Sequence, residues 1–87
     1  MEKQHLATIT ILVKDRQNNS VEVNRLLTDH GHLILSRLGT NLEKRCIEHC
    51  SALIVVTIEA SIKEIKNLTE KIDSLYGIVA KHSIVTN

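Results

Sequence analysis

The chain has 87 residues, a net charge of +1, no proline and three glycines. One small domain of this size buries only roughly 60–65% of its unfolded surface, which argues against a deep cavity enclosed in one copy. Near-zero net charge and a single aromatic residue, Tyr76, argue against direct nucleic-acid binding, which uses basic patches and stacking platforms. Leu, Ile and Val supply 29 residues, so the core is aliphatic. No stretch approaches the 18 or so apolar residues of a membrane span. The segment Met1 to His5 lacks the apolar stretch of a secretion signal, and two cysteines do not make a disulfide framework. The expectation is a cytoplasmic domain over residues 1–87 with reduced thiols.

Residues 5–14 alternate, with Ala7, Ile9, Ile11 and Val13 on one side and Leu6, Thr8, Thr10 and Leu12 on the other. This period of two predicts a strand. Asn19 and Glu22 have the spacing of a helix capping box. Val23, Leu26, Leu27 and His30 then form one helical stripe, ended by Gly31. A second strand is predicted over residues 32–38, a polar hairpin loop over residues 39–45, and a long third strand over residues 47–59. Ser61 and Glu64 form a second capping box, and Ile62, Ile65, Leu68, Ile72 and Leu75 follow at helical spacing. Gly77 stops that helix, and residues 78–85 read as a last strand.

The predicted order is β-α-β-β-α-β, an α+β, ferredoxin-like split βαβ fold. Right-handed crossovers put both helices on one face of a four-stranded antiparallel sheet with strand order 4-1-3-2. The other face would carry Leu6, Leu12, Leu33, Leu35, Leu53, Val55, Val79 and Val85. Monomers rarely leave so large an apolar patch in water. A homodimer, or a tetramer, through the sheet faces or edges is therefore expected.

Several segments taken together resemble a known group. They are residues 11–16 (ILVKDR), residues 23–27 (VNRLL) with Gly31, residues 36–39 (SRLG) and residues 76–79 (YGIV). Over residues 5–86 the chain resembles ACT-like regulatory domains. More closely, it resembles the small family of regulators named for the iron-only hydrogenase system. The resemblance implies an ACT-like fold, regulation without catalysis, and a small effector bound between subunits near the first strand–helix junction. The matching residues are Asp15, Arg16, Asn18 and Asn19; Arg37, late on the second strand, is a further candidate because a planar guanidinium suits a carboxylate, with Gly39 just after it. ACT domains commonly place glycine in that junction, and this chain has none there.

The fold plan is also similar to the effector domain of the nickel-responsive repressor, which makes a metal sensor across a subunit interface the alternative. His30, His32, Cys46 and His49 are the candidate ligands. That repressor places histidines late on strand two, where this chain has Arg37, Leu38 and Gly39. If residues 46–50 are extended, Cys46 and Cys50 lie about 13 Å apart, too far for one metal ion or a disulfide. No metal or other cofactor is expected. No phosphate loop, nucleophile elbow or cysteine–histidine signature points to an enzyme. A third reading is a purely structural assembly module.

Overall fold

A computed structural model describes residues 2–42 and 48–86. The elements are β1 (His5–Val13), α1 (Arg16–Asp29), a 3-10 turn (Gly31–Leu33), β2 (Ile34–Asn41), β3 (Ala52–Ala60), α2 (Ile62–Asp73) and β4 (Ile78–Ile84). The strands form one antiparallel sheet in the order β2-β3-β1-β4. This is the predicted ferredoxin-like order, read from the opposite edge.

Alternation decides which side of the sheet is covered. Ala7, Ile9, Ile11 and Val13 of β1 are buried, as are Ile54, Val56, Ile58 and Ala60 of β3. Val23 and Leu27 of α1 and Ile65, Leu68 and Ile72 of α2 join these rows in a single aliphatic core. Both helices therefore cover the same face. The other face carries Leu12, Leu53 and Val55 half-buried, with Leu6 and Val79 each 37% exposed.

The starts of three elements differ from the sequence reading, each for a local reason. Helix α1 begins at Arg16 rather than after Asn19. Asp15 adopts a left-handed conformation with φ 48°, and the amides of Asn18 and Asn19 both donate to its carbonyl. The first helical turn thus closes four residues early, and Glu22 pairs with Arg25 instead of capping. Strand β2 starts late because the amide of Leu33 donates to the His30 carbonyl and closes the 3-10 turn.

A register shift between Ile34 and Ser36 then leaves Leu35 61% exposed. Beyond that bulge Arg37 and Gly39 pair with the core-facing Val56 and Ile54, while Leu38 pairs with Val55 of the open face. Leu33 packs against the core instead of lying on the open face, and Leu38 replaces it there.

Strand β3 starts at Ala52, five residues later than expected. His49 has φ 55°, so the chain just before β3 is bent rather than extended. That removes the premise on which a disulfide was excluded: Cys50 is buried and disulfide-bonded, not a reduced thiol. Cys46 lies outside the described residues.

Helix α2 follows its sequence signals closely. The Ser61 hydroxyl accepts from the Glu64 amide at 3.2 Å, and the Glu64 carboxylate accepts from the Ser61 amide at 3.1 Å. After the helix, Gly77 takes φ 73°. A Cβ there would come within 2.4 Å of the Asn19 side-chain nitrogen and push it aside, and the backbone shape itself favours glycine.

Candidate functional site

Three chain segments meet at the end of β1. The Lys14 amide donates to the Gly77 carbonyl at 2.9 Å, which ties the α2–β4 turn to the junction. The Arg16 amide donates to the Cys50 carbonyl at 2.7 Å, which ties in the segment before β3. The Asn19 side chain donates to the Lys14 carbonyl at 2.7 Å and rests beside Gly77. These bonds fix the backbone around Asp15 and Arg16 without using their side chains.

Asp15 Oδ2 accepts from the Asn18 side chain at 2.8 Å and lies 3.3 Å from His49 Nδ1. The Asn18 hydrogen bond, the largest effect, holds the Asp15 carboxyl below its ordinary range against opposing desolvation, and His49 adds to the lowering. Asp15 Oδ1 and Arg16 Nη1 are both buried and have no hydrogen-bond partner among the described residues. Buried polar atoms are normally paired, because stripping them of water without a partner costs roughly 1–3 kcal/mol. An acceptor and a donor, unpaired on consecutive residues, suit a small ligand that itself carries a donor and an anionic acceptor.

Asp15, Arg16, Asn18 and Asn19 are thus brought together, as their sequence neighbourhood suggested. Arg37 and Gly39 sit elsewhere along β2. Arg37 pairs with Val56, which pairs with Ile9, four residues before the end of β1. At about 3.3 Å per residue this places Arg37 roughly 13 Å from the junction end. Its guanidinium donates to the Asn24 side chain of α1, so it bridges the edge strand to the helix. Gly39 pairs with Ile54, nearer the junction, and open space surrounds the place where a Cβ would stand.

The candidate metal ligands separate into two places. His49 stands against Asp15. His30 and His32 follow α1 and line a cleft against α2. Among the described residues, no three His, Cys, Asp or Glu side chains are grouped so as to hold a metal ion. Also among them, no helix is long and apolar enough to cross a membrane.

His49 and Gly77 are the junction residues that sequence reasoning missed in this role. Gly77 carried only a helix-stop signal. The approach of His49 to Asp15 depends on how the chain enters β3, for which the sequence offers no periodic cue.

No curated protein matches the chain. A solved structure, that of the uncharacterized protein TM1266 from Thermotoga maritima, superposes with a TM-score of 0.85 at 24% identity, covering 97% of this chain and 100% of that one. At that identity the likeness speaks for the fold. Residues 5–82 match a family model described as "TM1266-like: Iron-only hydrogenase system regulator, putative", and the chain belongs to that family.

Proposed function

We propose that the chain is a non-catalytic regulatory module of an iron-only hydrogenase system, working as a homo-oligomer that senses a small effector at the β1–α1 junction. The observation that carries this reading is the unpaired couple of Asp15 Oδ1 and Arg16 Nη1. An effector bearing an N–H or O–H donor and a carboxylate or similar acceptor would satisfy both atoms. Asn18 and Asn19 hold the loop in shape, and His49 screens Asp15. Arg37 and Gly39 lie apart from this couple along the β2 edge, where a second subunit or the effector's far end would meet them.

The proposed partner is a second copy. Four strands about 4.8 Å apart and seven to nine residues long give an open face of roughly 500 Å² in projection. That is of the order of the 800 Å² each partner buries in a stable interface. Effector binding would bias the oligomer and through it a protein of the hydrogenase system.

The test is a calorimetric melting screen against amino acids, nucleotides and nickel, iron and zinc ions. An organic ligand at 100 times its dissociation constant is expected to add about 2.7 kcal/mol of stability. Arg16→Ala is expected to abolish that gain, and Arg37→Ala to reduce it, both without changing the oligomeric state. No stabilisation by any organic compound, or equal stabilisation of both variants, overturns the junction as the effector site. Stabilisation by one metal ion alone favours the interface metal sensor instead.

A further inference from the structure

A second site stands apart from the junction, at the far end of α1. The chain leaving α1 and the flank of α2 enclose a cleft of about 300 Å³. Glu64, Asn67, Leu68 and Lys71 line it from α2, at the i, i+3, i+4 and i+7 spacing of one helical face. His30, His32 and Leu33 line it from the opposite side.

The polar groups here are sorted by sign. His30 Nδ1 lies 2.8 Å from the Leu26 carbonyl. A carbonyl only accepts, so that nitrogen is protonated, and in the neutral ring Nε2 keeps its lone pair as an acceptor. Glu64 gives Oε1 to the Ser61 amide, and its other oxygen has no hydrogen-bond partner among the described residues. Ser61 and, more weakly, His32 keep Glu64 ionised. The cleft therefore holds two acceptors, the anionic Glu64 and the His30 ring.

Lys71 lies two helical turns further on, about 10.5 Å along the axis. It makes no ion pair among the described residues, and Asn67 between them adds amide donors. Leu33 and Leu68 supply an apolar floor. The ammonium of Lys71, and the absence of a three-ligand group among the described residues, argue against a bare metal ion as the occupant. Separated opposite charges over an apolar floor match a ligand with the same layout reversed.

We infer that this cleft binds a small zwitterion whose amine and carboxylate are separated by a short methylene chain, the amine on Glu64 and His30 and the carboxylate on Lys71 and Asn67. The probe is γ-aminobutyrate, compared with glycine, butyrate and butylamine, in a titration of ¹⁵N-labelled backbone amides. γ-Aminobutyrate is expected to move the amides of His32, Asn67 and Lys71 and to leave those of residues 15–19 in place. Butyrate, butylamine and glycine are expected to bind at least about tenfold more weakly, a loss of about 1.4 kcal/mol.

Glu64→Gln retains a capping-box residue, so it removes the charge while keeping the helix start. Glu64→Gln and Lys71→Gln are each expected to weaken binding about tenfold with the fold retained, Glu64→Gln at a slightly lowered melting temperature because the charged cap is lost. Absence of shifts at millimolar γ-aminobutyrate overturns the assignment, as does equal binding by butyrate or by butylamine. Shifts confined to residues 15–19 also overturn it.

Discussion

Asp15 turns the chain from β1 into α1 with a left-handed backbone, yet its side chain does little of the turning. The α1 amides bond to its carbonyl oxygen, and its carboxylate makes no capping hydrogen bond. Backbone shape and side-chain chemistry can therefore be separated by substitution. Asp15→Gly is expected to retain or slightly raise stability, because glycine adopts φ 48° freely. Asp15→Ala keeps a Cβ at that φ and is expected to be less stable than Asp15→Gly by roughly 1–2 kcal/mol in urea unfolding. Both are expected to lose effector binding, which distinguishes a recognition role from a structural one.

Acid sensitivity follows from two carboxyls. Asp15 is held below 3.8 by Asn18 and His49, and Glu64 below 4.5 by Ser61 and then His32. A carboxyl whose folded value is depressed adds stability above its unfolded value, and that stability is lost as pH falls through the folded value. The melting temperature is thus expected to hold from neutrality to about pH 4.5 and to fall below it. Ser61→Ala is expected to cost about 1 kcal/mol by removing the cap, and to flatten the Glu64 part of that fall when melting is followed against pH.

At the scale of elements, burial separates central strands from the edge. β3 lies between β1 and β2 and buries Ile54, Val56 and Ile58. β2 is an edge strand, exposed along its length after Ile34. Ile58→Ala is expected to cost 2–5 kcal/mol in denaturant unfolding. Leu38→Ala, 68% exposed, is expected to stay within about 0.5 kcal/mol in the monomer.

The same contrast explains which elements were legible in the sequence. β1 and α2 bury one clean face and carry strong end signals, so alternation and the Ser61–Glu64 box located them. β2 has no buried row to reveal its register, and its bulge at Leu35 reversed the expected faces. The start of α1 was ambiguous because Asp15, Asn18 and Asn19 are all good capping residues, and a backbone conformation made the choice. The junction residues were legible through family resemblance. Their contacts with His49 and Gly77 were not, because these are set by where distant segments cross.

At the scale of the whole molecule, one sheet face is sealed by helices and the other is open. The dimer proposed above is tested with Leu38→Glu and Val79→Glu. Both side chains are already exposed in the single chain, so the fold is expected to survive. Sedimentation is expected to show dimers for the parent and monomers for the double variant, with unchanged circular dichroism. Monomers for both would overturn the sheet-face dimer.

The position of β1 has a further consequence, for the order of events during synthesis. This strand is made before the other three, yet it lies in the interior of the sheet between β3 and β4. Its neighbours are encoded in the second half of the chain, so it must wait, with both backbone edges unpaired, until the ribosome has released β3. Pairings so distant in sequence close slowly and leave apolar strand surface open to wrong partners meanwhile. Nascent chains halted before β3 is complete are therefore expected to be unfolded and prone to capture by chaperones, and the sheet to form only once β3 can reach back to β1.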